Sequence, residues 1–368
     1  MNSSTGQKMI RFLLAFACFG TALPVSAADP LANKIVVSTT IQAAVDAARP
    51  GATIHVPPGM YRENVLVSKN DLTIEGEPGA VLDGAGLTGD TGIEVAPVDP
   101  AARISDFKLS GLRIQNYSQN GVLLVRVDHF KLTQGTYTNN SEYGIFPILS
   151  SDGLIESNQV SGSDDTGIYV GQSSNVLVKH NRVSDSTVGI EIENSSRISV
   201  VENSSLGNCV GILVDVLPGL DVTTTNEVEI IGNVLCRNNR LNPVTDPSDW
   251  LSQLPIGVGL LNLGGDDVII KKNIASQNVS AGIAVAQLPA AIAALDPRID
   301  PFPDNNQVRD NVSLRNGSSP DPKLAPLPGV DLLWDFSGSG NCWANNVSET
   351  SFPSPLPSCQ GSVGEAAI

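Results

Sequence analysis

The 368-residue chain is 41% hydrophobic and contains 34 glycines and 24 prolines, a composition that favours a long apolar core built from short strands and turns. Its net charge of −16 argues against nucleic acid and anionic lipid as partners, and it disfavours a polyanionic ligand unless a basic groove or bridging cations reverse the local sign. Such acidity also suits a secreted protein that only needs to remain soluble.

An export signal is predicted at residues 1–27. Lys8 and Arg11 precede an apolar stretch, residues 12–23, which is followed by a cleavage site of small residues. The apolar stretch is too short to span a bilayer permanently, so we expect no membrane insertion. We expect an exported protein, periplasmic or extracellular; a lipoprotein attached through Cys18 is the alternative.

Residues 28–50 are predicted to form an N-terminal cap. Thr39 or Thr40 can N-cap a short helix that Pro50 and Gly51 end. The apolar residues of this helix share one face: Ile41, Ala44, Val45 and Ala48. A helix here would cover the strand edge and the apolar core that a solenoid leaves open at its end.

From residue 51 to residue 340 the sequence repeats with a period of 22 or 23 residues. The period is marked by Gly–aliphatic pairs that begin at Gly121, Gly144, Gly167, Gly189 and Gly211, and it resumes at Gly259 and Gly282. Such a period is typical of a solenoid in which each repeat forms one coil. We predict an all-β, single-stranded parallel β-helix of about ten coils with three short strands per coil.

Two kinds of stacked column are expected within these coils. Alternation places β-branched residues inside, in columns such as Ile145, Ile168, Ile190, Ile212 and Ile155, Val178, Val200, Ile230. Asn158, Asn181 and Asn203 recur with the same period and are predicted to form a ladder at a tight bend. The repeated glycines are expected at corners where φ is positive or a Cβ atom would clash.

Residues 341–368 are expected to form a C-terminal cap and tail, with the proline-rich stretch 319–328 beside it. Four cysteines remain after the signal is removed, an even number that suits an oxidising compartment. Cys342 and Cys359 are expected to pair. Cys209 and Cys236 lie on successive coils at positions offset by three residues, so a bond between them is left open.

Several phrases resemble known β-helix proteins. IQAAVDAARPGATIHVPPGMYRENVLV and LTIEGEPGAVLDG resemble the opening of right-handed parallel β-helix proteins of the pectate-lyase-like superfamily. GIYVGQSSNVLV, GIEIENSSRISVVEN and GILVDVLPGL resemble a narrower group, an exported bacterial parallel β-helix repeat family of unestablished function. The resemblance covers nearly the whole mature chain. It implies a right-handed coil, export and pairing with a second exported protein, and it implies no activity.

Three insertions indicate where a ligand site lies, because the extra loops of a solenoid usually form its binding face. They are residues 216–225, 240–256 and 287–306, and all border the Gly–aliphatic strand. The outward residues of that strand form two predicted columns: Phe146, Tyr169, Glu191, Leu213 and Ile148, Gly171, Glu193, Asp215, Asn262. We assign catalytic roles to Glu191, Glu193 and Asp215, and substrate-binding roles to Tyr169, Asp164, Asp165 and Asn262.

The chemistry of this face has several interpretations. Paired carboxylates can run glycoside hydrolysis, oxygen ligands can hold Ca²⁺ that bridges an acidic sugar, and Tyr169 can stack on a sugar ring. A solvated acidic face is the fourth. SGSDDTGIYV resembles the paired-aspartate coil of polygalacturonase-type hydrolases, but their Gly-His-Gly and Arg-Ile-Lys motifs are missing, as is the Asp-Pro-His-Asp motif of mannuronan epimerases.

Two hypotheses follow. In the first, the protein binds a polysaccharide on this face and cleaves or modifies it, as a lyase, epimerase or glycoside hydrolase. In the second, it is a non-catalytic periplasmic module that docks a partner, its paired exported protein. No cofactor is certain, Ca²⁺ is the candidate, and no individual metal ligand is assigned. We expect a monomer.

Overall fold

The computed structural model describes residues 33–359. The predicted signal at residues 1–27, the first cap residues 28–32 and the tail 360–368 lie outside this range. Between residues 33 and 359 the strands form three sheets, and every strand pairing within them is parallel. Two α-helices, Ile41–Ala47 and Ala290–Ala293, and two 3₁₀ helices, Trp250–Gln253 and Pro322–Leu324, complete this range. In the same range, no helix is long and apolar enough to cross a membrane.

Each coil passes through the three sheets in the same order, so we number them in that order. Sheet 1 contains Val65–Val67, Ile93–Val95, Asn120–Val125, Tyr143–Ile148, Thr166–Gly171, Val188–Glu193, Val210–Asp215, Val258–Leu263, Ala281–Ala286, Val330–Trp334 and Ser351–Phe352. Sheet 2 contains Lys34–Val36, Ala52–Val56, Leu72–Gly76, Ile104–Ser105, Lys108–Ser110, Val127–Asp128, Lys131–Thr133, Ser151–Glu156, Ser174–Lys179, Ser196–Val201, Asn226–Ile231, Ile269–Lys271, Gln307–Arg309 and Cys342–Ala344. Sheet 3 contains Gly59–Tyr61, Ala80–Asp83, Arg113–Gln115, Thr136–Thr138, Gln159–Ser161, Arg182–Ser184, Ser204–Leu206, Val234–Cys236, Ile274–Ser276 and Val312–Leu314.

The apolar core fills the space between the sheets, and its columns have the predicted register. In sheet 1, Ile145 pairs with Ile168, Ile168 with Ile190, and Ile190 with Ile212. All four side chains are fully buried. Identical β-branched residues stack well here because parallel strands are in register and each pleat repeats at the same height. The predicted β-helix with three strands per coil is confirmed.

An asparagine ladder forms the bend between sheets 2 and 3. The Asn158 Nδ2 donates to Asn181 Oδ1 at 3.0 Å and to the Leu132 carbonyl oxygen at 2.9 Å, and the pattern repeats on each following coil. The ladder comprises Asn158, Asn181, Asn203, Asn233, Asn273, Asn311 and Asn346. The left-handed residue at the bend is the one before each asparagine, for example His180 with φ 56°. Each amide satisfies buried backbone groups, so the predicted ladder is confirmed.

The repeated positions require glycine because a Cβ atom would clash with neighbouring atoms, not because φ is positive. A Cβ atom on Gly167 would lie 2.4 Å from Val183 Cγ1 and 2.9 Å from the Gly189 carbonyl oxygen, and its φ is not positive. Of the two reasons that the sequence left open, the clash therefore applies here.

The helix predicted within the N-terminal cap is present, and a strand precedes it. Thr40 caps the helix Ile41–Ala47 by accepting from the Ala43 backbone N–H at 3.1 Å. An unpredicted strand, Lys34–Val36, precedes the helix and pairs in parallel with Ala52–Val56. The strand and helix together extend the solenoid by a partial coil and cover its first edge.

At the other end of the described chain, the disulfide Cys342–Cys359 is present. Among the described residues, Cys209 and Cys236 are both free cysteines, so the bond that the sequence left open is not formed. Cys209 is fully buried, and the Cys236 sulfur accepts from the Ser276 hydroxyl at 3.1 Å.

Inserted loops cover the outer face of sheet 1 from the strand Thr166–Gly171 onward. We call them the canopy: residues 216–225, 240–256, 287–306 and 319–328. The last of these was expected beside the C-terminal cap, but Ile256 N–H donates to its Asp321 at 2.9 Å. Canopy and sheet share a second apolar core that includes Leu213, Leu251, Leu254, Leu261, Leu288 and Leu333. Fully burying one such leucine contributes about 1.5–3 kcal/mol, so this core holds the loops down.

Candidate functional site

Three acidic residues meet on the outer face of sheet 1, and we call them the acidic cluster: Glu191, Glu193 and Asp215. Because Ile190 and Ile192 point into the core, alternation turns both glutamates outward. Glu193 pairs in register with Asp215 on the next strand, as predicted. One carboxylate oxygen from each of the three residues lies within 4.8 Å of the others.

The canopy covers this cluster. Glu191 is 1% exposed, Glu193 5% and Asp215 0%. Asn194 fixes the covering loop by donating from Nδ2 to the carbonyl oxygens of Leu217 at 3.0 Å and Val222 at 2.6 Å. The sequence placed these carboxylates on a surface between loops, so the expectation of substrate-accessible groups is wrong for the structure described here. The loops cover the carboxylates because their own leucines pack on the same sheet.

Burial sets the protonation of the cluster. It raises the pKa of Glu193 to about 7, although the Tyr169 hydroxyl donates to this carboxylate and opposes the shift. Burial, followed by repulsion from neighbouring carboxylates, holds the pKa values of Glu191 and Asp215 well above their usual range. The Thr166 hydroxyl donates to Glu191. Neither carboxylate oxygen of Asp215 has a hydrogen-bond partner among residues 33–359.

The turn before Thr166 places two further acidic residues at the edge of the canopy. Asp165 is partly exposed, its Oδ1 lies 2.9 Å from Thr166 Oγ1, and it accepts a hydrogen bond from the Tyr143 hydroxyl. The surrounding protein desolvates its carboxylate and raises the pKa to about 7. Asp164 is exposed and lies 3.4 Å from Arg240 Nη2. Of the predicted site residues, these two have the most contact with solvent.

Tyr169 is not an open stacking platform. It is 7% exposed, and its ring lies against Phe146 edge-on with centroids 4.6 Å apart and against Tyr143 at 5.0 Å. It also extends over Gly171, where a Cβ atom would lie 2.3 Å from the ring. Its predicted role as an exposed sugar platform is therefore wrong, because the rings of Phe146 and Tyr143 pack against the Tyr169 ring where a sugar would have to lie.

Asn262 does not lie in the acidic column. The register pairs Val214 with Asn262 and Asp215 with Leu263, so Asn262 points to the inside and is fully buried. Its amide donates to the Gly265 carbonyl oxygen at 3.0 Å and accepts from the Gly265 N–H at 2.9 Å. Asp215 lies four residues after Gly211, and the residue four positions after Gly259 is Leu263, not Asn262. The predicted substrate-binding role of Asn262 on this face is therefore wrong.

The part of the outer face that the canopy leaves uncovered we call the open strip. It comprises the outward residues of four successive strands, Leu66, Glu94, Leu123, Val125, Phe146 and Ile148, together with Tyr143. These side chains are half-buried or exposed. Phe146 was predicted as an outward residue without a role, whereas Tyr143 was missed. Strict alternation from Phe146 would turn a residue three positions earlier to the opposite face, so the sequence pattern gave no signal for Tyr143.

A polar cleft of about 380 Å³ adjoins the open strip at the corner between sheets 1 and 2. Its side chains include Arg103, Arg126, Asp128, Ser151, Gln172 and Ser174. Arg103 donates to both Asp128 oxygens, at 2.6 and 2.5 Å, which lowers the pKa of Asp128. The cleft thus offers fixed donors and acceptors next to an apolar surface.

A second cleft, of about 710 Å³, lies within the canopy. Apolar residues dominate its lining, among them Leu217, Trp250, Ile292 and Leu295, with Lys323 as a charged member. Leu295 is 75% exposed, so the cleft opens onto apolar surface. Such a surface suits a protein or other apolar ligand better than a sugar.

Comparisons with known proteins agree with this geometry. The sequence of residues 89–216 matches a family model described as a right handed beta helix region. The fold is similar to the A-module of mannuronan C-5 epimerase AlgE6 from Azotobacter vinelandii, with a TM-score of 0.64 and 14% identity over 84% of this chain and 92% of that chain. It is similar also to DFA-IIIase from Arthrobacter chlorophenolicus A6 in complex with GF2, with a TM-score of 0.60 and 14% identity over 91% of this chain and 100% of that chain. A search of curated proteins returned no significant sequence match.

The protein has the fold of a right-handed parallel β-helix, as the sequence resemblance implied. At 14% identity the solved structures establish the fold alone.

Proposed function

We propose that this protein is exported and binds a polysaccharide along the open strip and the adjoining polar cleft. The observation that supports this most directly is the position of Phe146 and Tyr143. Their rings contact each other at 4.5 Å and are half-buried on the uncovered part of sheet 1. Aromatic faces pack against the apolar faces of sugar rings, and the two rings lie beside a cleft that can hydrogen-bond hydroxyl groups.

The similar folds support a carbohydrate ligand as an analogy. A mannuronan epimerase module and a DFA-IIIase in complex with GF2 both use a β-helix of this kind. Fold does not determine function, so the proposal depends on the aromatic residues and the polar cleft in this chain.

The charge of the open strip narrows the class of glycan. Glu94, Glu142 and Asp165 lie along or beside it, and the whole chain has a net charge of −16. A neutral polysaccharide avoids repulsion from these carboxylates, whereas a polyuronate needs screening or Arg126 as a counter-charge. We therefore expect neutral glycans to bind more tightly than alginate or pectin at low salt.

The structure supports polysaccharide binding better than it supports catalysis on a polysaccharide. A catalytic group must touch the substrate, and Glu191 and Asp215 are too deeply covered to do so. Asp165, which lies outside the acidic cluster, is partly exposed to solvent next to Tyr143. If the protein hydrolyses, eliminates or epimerises a glycan, we expect Asp165 to be the carboxylate that contacts the substrate. Release of reducing ends or of unsaturated products would show hydrolysis or elimination.

The binding test is a panel of neutral and acidic polysaccharides, followed by calorimetry on the best ligand. Phe146→Ala should weaken binding by up to about tenfold, since a lost aromatic stacking contact is worth about 0.5–1.5 kcal/mol. Phe302→Ala removes an exposed aromatic residue from the canopy and serves as the matched control. Absence of binding to every glycan, or equal affinity of both variants, would exclude the open strip as the binding surface.

The canopy cleft supports a second candidate function, docking of a partner exported protein. Its apolar lining and exposed Leu295 are the specific observation. A complex formed this way should be lost in Trp250→Ala and retained in Phe146→Ala, as measured by co-purification of the exported proteins of the source cell. Loss in Phe146→Ala with retention in Trp250→Ala would instead place the protein-docking surface on the open strip.

A further inference from the structure

We propose that the acidic cluster is a buried calcium site, in which Glu191, Glu193 and Asp215 coordinate one cation between sheet 1 and the canopy loop 216–225. The proposal is independent of polysaccharide binding, because the cluster lies beneath the loops and the open strip lies outside them.

The strongest observation is the state of Asp215. Its side chain is 0% exposed, and neither carboxylate oxygen accepts a hydrogen bond from any described residue. A proton would remove the charge but would leave these buried oxygens without partners, which costs about 1–3 kcal/mol for each unsatisfied group. A cation would satisfy both the charge and the coordination.

The positions of the other two carboxylates fit the same cation. One oxygen from each residue lies within 4.8 Å of the others. A Ca²⁺ ion takes oxygen ligands at about 2.3–2.6 Å, so ligands on opposite sides of it are about 4.6–5.2 Å apart. Mg²⁺ demands a tighter, near-ideal octahedral sphere of about 2.0–2.1 Å and gives up its waters reluctantly, so a buried site made only of protein carboxylates suits it less well.

The donor set and its charge also favour calcium. All three side chains are carboxylates, and hard oxygen ligands select Ca²⁺ over zinc or copper. Three carboxylates can supply six oxygens if each binds through both, which is within the six to eight that Ca²⁺ takes. Among residues 33–359, no lysine, arginine or histidine forms an ion pair with any of the three. A divalent cation would supply the missing positive charge.

The site has a structural consequence. Asp215 is the last residue of its strand, and the canopy loop 216–225 begins directly after it. That loop returns to the same place, where the Thr225 hydroxyl donates to the Asp215 carbonyl oxygen. A cation at Asp215 would therefore hold both ends of the loop onto sheet 1.

The test uses the purified mature chain after chelator treatment. We expect metal analysis and calorimetry to give one Ca²⁺ per chain, and 1 mM Ca²⁺ to raise Tm by about 5 °C if it saturates the site. Hydrogen exchange of residues 216–225 should slow on adding Ca²⁺. Mg²⁺ at the same concentration should give a smaller shift.

Asp215→Asn should abolish the Ca²⁺ response and leave Tm in chelator equal to or above that of the wild type, because it replaces an unpartnered carboxylate with a neutral group. Glu193→Gln is the second variant in case Asp215→Asn folds poorly. Asp164→Asn removes an exposed carboxylate near the site and should keep the full response. Failure of Ca²⁺, Mg²⁺ and Mn²⁺ to bind, or an unchanged response in both cluster variants, would overturn the site.

The two proposals fail separately. Phe146→Ala should weaken glycan binding and keep the calcium-dependent Tm shift, whereas Glu193→Gln should lose that shift.

Discussion

The outer face of sheet 1 has two halves that share one backbone register and differ in what covers them. Up to the strand Tyr143–Ile148 the outward residues are half-exposed, and from the strand Thr166–Gly171 onward they are almost all buried. The inward residues are equally buried in both halves. The difference teaches that in a solenoid the repeat determines the inside, whereas loops of no fixed period determine whether the outside is a surface or a second core.

The largest expected effect compares two leucines from one outward column. Leu213 is fully buried beneath the canopy, and Leu123 is half-exposed on the open strip. Leu213→Ala should lower the free energy of unfolding by about 3 kcal/mol, because it removes apolar burial and leaves a cavity. Leu123→Ala should cost less than about 1 kcal/mol.

Chemical denaturation of both variants measures this difference. Equal losses would mean that the canopy does not pack on sheet 1 as a true core. A loss confined to the canopy, seen as local hydrogen exchange without global unfolding, would show that the second core melts independently.

A similar effect is expected from pH in the presence of chelator. Glu193 has a folded-state pKa of about 7 against an ordinary value of 4.5, so the folded protein holds this proton more tightly than the unfolded chain. Its contribution is fully present below pH 4.5 and is lost as pH rises through 7. The loss is on the order of 3 kcal/mol, at 1.36 kcal/mol per pH unit.

Unfolding curves at pH 5 and pH 8.5 in chelator would show this decline. Glu193→Gln should flatten it, since glutamine does not titrate. Saturating Ca²⁺ should flatten it as well if the cluster binds the cation. A wild-type stability that rises over this range in chelator would contradict the burial of Glu193.

The smallest expected effect concerns the ion pair at the edge of the canopy. Arg240 lies 3.4 Å from Asp164, whose side chain is 66% exposed. Asp164→Ala should change the free energy of unfolding by less than about 1 kcal/mol, because solvent and salt screen exposed pairs. A loss comparable to that of Leu213→Ala would show that charge rather than apolar packing attaches the canopy.

Prediction from the sequence succeeded where the structure depends on the repeat. The inward isoleucine column, the asparagine ladder and the pairing of Glu193 with Asp215 all follow from residues at equal offsets on successive coils. The Thr40 cap and the Cys342–Cys359 bond depend on short segments, and they too were predictable. One offset of a single residue was enough to misplace Asn262, since it reverses the side of the sheet.

What the sequence could not give is the environment of the outward residues. Glu191 and Asp215 were correctly placed outward, but whether they meet solvent depends on loops such as 216–225, which Asn194 holds in place. Such loops have no period, and their packing depends on the leucines of a distant strand. The same holds for Phe146 and Tyr143, which stand out only because the canopy stops beside them.

The sequence by itself therefore determined a β-helix, the stacking of its inward columns, the Thr40-capped helix and the three carboxylates that share one face. Those features repeat locally, and each coil needs only its neighbours to form. Only the tertiary structure decided that the carboxylates are buried, that Asp215 lacks a hydrogen-bond partner and that two aromatic rings remain on the open strip. Burial depends on long-range packing between the canopy and sheet 1, and no repeat encodes that contact.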